Sequence, residues 1–226
     1  FDLIKFLPKR KKKKHNVIGF STRFVSINQH EGVNYTFVSL MPQRPARTSK
    51  FTYADLMGFH HMMKVINKIL KVTDKIISIR PHPLEAVDNY HNLVIKEFDE
   101  KYRKRIRIDT SLCLIEWLET LDLLISPTST IIYEAYLMKI PIVSLDVISG
   151  SKKYYDEFNE ISDTIRNSCI IPKNSNSLLN LIKNKKFKSK KNMKLEKYLN
   201  DYHSFNLKKS SNLIIAEKIV DFLNKS

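Results

Sequence analysis

Two short stretches carry the residue types best suited to chemistry. Arg80-Pro81-His82-Pro83 sets a permanent cation two residues from an imidazole, at the end of the apolar run Ile76-Ile77-Ser78-Ile79. Ser126-Pro127-Thr128-Ser129-Thr130 gathers four hydroxyls at the end of Leu123-Leu124-Ile125 and leads into Ile131-Ile132-Tyr133-Glu134-Ala135. A guanidinium, a histidine that titrates near neutrality, and a cluster of hydroxyl and helix N–H donors are the groups that hold a phosphate and absorb its charge without a metal.

Both apolar runs are too short for helices and are rich in β-branched residues, so they read as buried strands. In an open α/β sheet, ligands bind outside the carboxyl ends of the strands, which is where both stretches turn polar. Pro81 cannot donate to a ladder and ends regular pairing near Arg80. Pro83 pushes His82 into an extended conformation, which aims its ring in a nearly fixed direction. After Ser126-Pro127 a helix is predicted to begin near Thr128 or Ser129, with Ser or Thr as its cap. Glu134 falls outside capping-box register, because residue 131 is Ile, so it serves either a solvated helix face or a ligand hydroxyl. The structural alternative is a rigid proline turn with an incidental histidine, followed by an ordinary helix cap.

Together with Lys139-Ile140-Pro141-Ile142-Val143, these motifs resemble the nucleotide-binding half of GT-B glycosyltransferases over roughly residues 35 to 185. The closer likeness is to bacterial surface-polysaccharide enzymes with a His-Pro motif and a Ser/Thr pair, including sialyl-, polysialyl- and Kdo-transferases and teichoic-acid glycerophosphotransferases. The resemblance implies a nucleotide-activated sugar as donor substrate, a CMP-sugar before others, and a glycan or lipid-linked acceptor in capsule or lipopolysaccharide synthesis. It implies that Glu134 holds ribose hydroxyls and that the Leu40–Gln43 loop, with Gln43, borders the nucleotide. The acceptor-activating base would come from a separate N-terminal domain, in cis or in trans.

The elements that would position these residues alternate regularly from Tyr35 onward. Strands are predicted at Thr36–Met41, Lys75–Arg80, Arg105–Ile108, Leu121–Ser126, Ile140–Leu145 and Ser168–Ile171. Helices are predicted at Tyr53–Val72, with Leu56, Phe59, Met63, Ile66 and Leu70 on one face, and at Leu84–Lys101. Further helices should run from an Asp109-Thr110-Ser111 cap to Glu119, over Ser129–Met138, from Asn176 to Asn184, over Leu195–Asn200 and over Ser210–Leu223. This order implies a doubly wound, Rossmann-like α/β fold with a mostly parallel sheet of about six strands. The domain is expected to span 35–226. Residues 1–34 read as a linker or the remnant of a preceding domain, with Val17–Phe20 and Phe24–Ile27 as short strands at an edge. The two motif stretches should end neighbouring strands, with His82 and Ser129 facing one crevice.

Composition narrows the classes. Only four glycines occur among 226 residues, at 19, 32, 58 and 150, so neither a dinucleotide fingerprint nor a Walker loop can be built. No Asp-x-Asp pair and no zinc-like Cys/His spacing is present, so no metal and no cofactor are expected. Cys113 and Cys169 read as buried free thiols of a reducing compartment, which suits a cytoplasmic protein. The net charge is +16. Residues 1–14 carry seven Lys/Arg and one acid, and residues 183–197 carry eight Lys and one Glu, so these two segments hold +6 and +7 of it. Such runs suit peripheral contact with the inner face of an anionic membrane, or plain solvation. Nucleic acid is disfavoured, because neither run interleaves aromatics. Three readings follow: a metal-independent glycosyltransferase or CDP-glycerol glycerophosphotransferase-like enzyme, a non-catalytic nucleotide- or sugar-binding module, and a basic membrane- or nucleic-acid-associating protein.

Overall fold

Val-Ile-Gly-Phe-Ser at 17–21 is buried at every position and forms the central strand. In the computed structural model, which describes residues 16–32, 45–111, 113–151, 159–203 and 211–223, five strands form one parallel sheet. They are β1 (Val17–Ser21), β2 (Ile76–Arg80), β3 (Ile106–Ile108), β4 (Leu123–Ser126) and β5 (Ile142–Ser144), in the order β3-β2-β1-β4-β5. β1 pairs with β2 from Val17↔Ile76 to Ser21↔Arg80, and with β4 from Ile18↔Leu123 to Phe20↔Ile125. The segment expected at an edge is thus the middle of the sheet, and it separates the two motif strands, which are not neighbours. Its brevity and its glycine give no sign of that central position in the sequence, where short apolar runs are ambiguous.

Alternation along each strand divides the core in two. Ile18, Phe20, Ile77, Ile79, Leu123 and Ile125 pack against Met62, Val65, Ile66, Ile69 and Leu70 of α1 (Pro45–Val72) and against Leu178 and Ile182 of α8 (Ser175–Lys183). α1 opens on a proline, which suits a first helical turn. Val17, Leu124 and Ile142 face the other way, onto Trp117 and Leu118 of α4 (Leu114–Glu119) and Ile132 and Ala135 of α5 (Ile131–Leu137). Leu195 and Leu199 of α9 (Met193–His203) complete that side. Gly19 lies on this second face, where a Cβ would sit 2.3 Å from Leu121 Cδ1 and 3.0 Å from Trp117 Cζ2. The doubly wound, Rossmann-like architecture is therefore as expected.

The remaining helices are α2 (Val87–Glu97), α3 (Glu100–Arg103), α6 (Leu145–Ser149), α7 (Asn159–Asn167) and α10 (Ser211–Leu223). Several elements differ from expectation. The sixth strand reduces to a single parallel bridge, Val143↔Ile170. Residues 25–27 form a turn rather than a strand. α4 begins at Leu114 with no side-chain cap, because Asp109 and Ser111 are engaged with Arg80. Leu56, expected on the packed face of α1, is exposed. Cys113 is exposed, whereas Cys169 is buried and its thiol is pushed up to about 12 by burial. The strand expected at Thr36–Met41, the loop with Gln43 and the basic segment 1–14 lie outside the described residues. No helix among the described residues is long and apolar enough to cross a membrane.

Candidate functional site

From β1 the chain builds outward through β2 to β3, then returns to place β4 on the other side of β1. This reversal makes the gap between the carboxyl ends of β1 and β4 the switch point where ligands bind in doubly wound sheets. The carboxyl end of β1 continues as Ser21-Thr22-Arg23: Ser21 and Arg23 bond to the β4 stretch and Thr22 to the β2 stretch.

On the β4 side, Ser21 Oγ donates to Ser126 Oγ at 2.6 Å, and Ser126 Oγ donates to the Pro127 carbonyl at 2.7 Å. Ser129 Oγ lies 3.3 Å from Ser126 Oγ. Thr128 is fixed at three points. Its N–H donates to Asp146 Oδ2 at 2.6 Å, its Oγ1 accepts from Arg166 Nε at 3.1 Å, and its carbonyl accepts from Arg23 Nη1 at 2.7 Å. Ser126 and Thr128 are both buried, and their hydroxyls are engaged in holding the loop. Half-buried Ser129 and exposed Thr130 remain at the surface. α5 starts at Ile131, later than the expected Thr128 or Ser129, through tight i→i+3 bonds from Ile132 N to Ser129 O and from Tyr133 N to Thr130 O.

On the β2 side, Glu85 organises the loop. Its buried carboxylate accepts from Thr22 Oγ1, from Phe24 N, from His82 N at 3.0 Å and from Tyr90 Oη at 3.1 Å. Burial raises its pKa, and these hydrogen bonds partly offset the rise. His82 N also lies 3.2 Å from Thr22 Oγ1, and Glu85 N closes a turn onto His82 O at 2.8 Å. The backbones on either side of Arg23 and at His82 are therefore held by one carboxylate. Leu84 N donates to His82 Nδ1 at 3.2 Å, which places the proton of the neutral ring on Nε2. Burial lowers the His82 pKa, and the charge of Arg23 lowers it further. Both effects favour the neutral ring, with Nε2–H as its donor.

Arg80, read as the phosphate-binding cation, is committed elsewhere. Its guanidinium pairs with Asp109 Oδ1, donates to Ser111 Oγ at 3.0 Å and to Ser111 O at 2.7 Å, and stacks 5.6 Å from the Trp117 ring centroid. Alternation explains this: Ile76, Ser78 and Arg80 point to the Trp117 face, where Ser78 Oγ accepts from Trp117 Nε1 at 2.8 Å. Arg23 is a cation that bonds the β4 stretch through the Thr128 carbonyl and acts on His82 through its charge. The sequence signal for it was a polar triplet closing an apolar run, as in the other two stretches, but Val17–Phe20 did not read as a sheet centre. Glu85 also escaped notice, although it stands three residues after His82.

Glu134 lies in the first turn of α5 with Oε2 buried and, among the described residues, without a hydrogen-bond partner, and burial raises its pKa. Ser144 Oγ, at the end of β5, is likewise buried and unpartnered. The carboxyl edge of the sheet thus presents Arg23, the His82 Nε2–H, Ser129 and Thr130, with Glu134 close behind in sequence and still lacking a donor. Among the described residues, no three His, Cys, Asp or Glu side chains gather as metal ligands would. No protein-family model matches the chain, and no curated protein matches it. The architecture is a Rossmann-like α/β domain with a five-stranded, all-parallel sheet of order 3-2-1-4-5.

Proposed function

We propose that this domain binds the nucleotide of an activated sugar, a CMP-sugar before others, and serves as the donor half of a metal-independent glycosyltransferase of surface-polysaccharide synthesis. The observation that carries the reading is that Arg23, at the end of β1, bonds the Thr128 carbonyl beside Ser129 and acts on His82 through its charge, next to the switch point between β1 and β4. In this reading the donor phosphate lies against Arg23, whose guanidinium offsets its charge, and accepts from His82 Nε2–H and the Ser129 hydroxyl. Glu134 Oε2 accepts from a ribose hydroxyl, which gives its buried oxygen the missing donor. As the anomeric C–O bond breaks, negative charge grows on the leaving phosphate. His82 then has two means of stabilising it: a strengthened hydrogen bond, or transfer of the Nε2 proton.

The acceptor-activating base is assigned to a further domain or chain. Glu85 and Asp146, the carboxylates bordering the crevice, are both committed to backbone N–H groups. That same commitment favours a second reading, a nucleotide-binding module without turnover, on a fold that hosts many functions. Thermal denaturation with CMP, UMP and CDP tests the shared first step. A nucleotide at 100 times its Kd adds about 2.7 kcal/mol to stability and raises the Tm. The same rise is expected with and without EDTA. No rise with any of the three nucleotides would reject both readings, and a rise abolished by EDTA would reject metal independence.

A further inference from the structure

A second site lies at the opposite edge of the sheet, because Lys139 leads into the amino end of β5. There the carboxyl end of α5, the start of α9 and the stretch before α9 enclose a cavity of about 530 Å³, a size that suits a small ligand. Leu195 and Leu199 are buried in the core and fix the rotation of α9. One helical turn then sets Glu196 and Asn200 side by side on the cavity wall. Tyr136 Oη donates to Glu196 Oε1 at 2.9 Å and accepts from Asn192 N at 3.0 Å, which fixes that carboxylate. Asn200 Oδ1 is buried and has no hydrogen-bond partner among the described residues. Facing these acceptors are Lys139, held at φ 59°, and Lys190 and Lys191. Three ammonium groups against one carboxylate leave the wall with a net charge of +2.

The geometry points to a ligand that carries both an anion and hydroxyl donors: we infer that this cavity binds the phosphate ester of a polyol. The phosphate meets Lys139, Lys190 and Lys191, and the polyol hydroxyls donate to Asn200 Oδ1 and Glu196. A bare anion leaves the Asn200 oxygen unsatisfied and faces Glu196, so the ester is favoured over inorganic phosphate. The surrounding segment 183–197, with eight Lys and one Glu, raises the local anion concentration at the mouth. The inference is independent of the nucleotide reading, whose residues lie at the other edge of the sheet.

The test titrates the full chain with glycerol 3-phosphate, with inorganic phosphate, and with vesicles of phosphatidylglycerol against pure phosphatidylcholine. Glycerol 3-phosphate is expected to bind more tightly than inorganic phosphate. The double variant K190E/K191E should weaken it by at least about tenfold. N200A should weaken glycerol 3-phosphate by roughly two- to tenfold and leave inorganic phosphate unchanged. If only phosphatidylglycerol vesicles bind, with the same dependence on Lys190, Lys191 and Asn200, the polyol phosphate is a lipid headgroup. Binding untouched by K190E/K191E, vesicle binding indifferent to N200A, or no binding of ester and vesicle alike would overturn the site. The lysines are exposed, so a circular dichroism spectrum matching wild type separates lost binding from lost folding.

Discussion

His82, Arg23 and Arg80 make different predictions because their surroundings differ. His82 is half-exposed and makes one side-chain contact in the fold, Leu84 N to Nδ1. H82A is expected to change stability by no more than about 1 kcal/mol. If Nε2–H donates to the donor phosphate, the same variant weakens nucleotide binding by roughly 1.5–3 kcal/mol, or about ten- to a hundredfold. The pH dependence follows from the lowered His82 pKa. A group whose folded pKa lies below its unfolded value binds fewer protons in the native state, so its contribution to stability is present above pH 6.5 and is lost as pH falls through the folded pKa. Bound phosphate favours the imidazolium, so binding draws in a proton. Nucleotide affinity should therefore rise as pH falls below 6.5, and this part of the slope should vanish in H82Q, as calorimetry at several pH values would show.

At the scale of elements, the site depends on three strand ends meeting, and two contacts enforce that. Glu85 ties the end of β1 to the His-Pro loop through four donors, so E85A leaves several buried polar groups without an acceptor. A loss of about 3 kcal/mol or more is expected in urea denaturation, and a loss under 1 kcal/mol would show that the loop holds without it. Gly19 lets Leu121 and Trp117 cross β1 closely, so G19A should cost about 1–3 kcal/mol through overpacking. The sequence made β2, β4 and β5 legible, with the helices after β2 and β4, because each strand is an apolar run ended by Pro, Ser or Thr; it did not show Leu145–Ser149 or Asn159–Asn167, short helices that follow β5. It showed β1 as a short strand but not its central place, since five residues containing a glycine carry too little pattern to rank it above the longer apolar runs. Arg80 misled for a related reason. Its position at a strand end was visible, but the face it occupies depends on Trp117 and Asp109, which only the tertiary fold brings to it.

For the whole molecule, the order β3-β2-β1-β4-β5 places one switch point between β1 and β4, and the proposed function stands or falls there. Ser126 and Thr128 are buried, whereas Ser129 and His82 are half-buried and Thr130 is exposed, and the hydroxyl cluster and the His-Pro turn are linked through Ser21, Thr22 and Arg23, which lie between them. None of this is visible from spacing, since Arg23 and Thr128 stand 105 positions apart in the chain. The lysine-lined cavity at the other edge gives the domain a second, separate polar surface. The most direct measurement compares CMP binding by calorimetry in wild type, R23A and R80A. Binding should fall by at least about tenfold in R23A, which loses the cation at the switch point. R80A should keep near-wild-type affinity while losing stability, because its guanidinium serves Asp109, Ser111 and Trp117. Full affinity in R23A, or its loss in a folded R80A, would contradict a nucleotide site between β1 and β4.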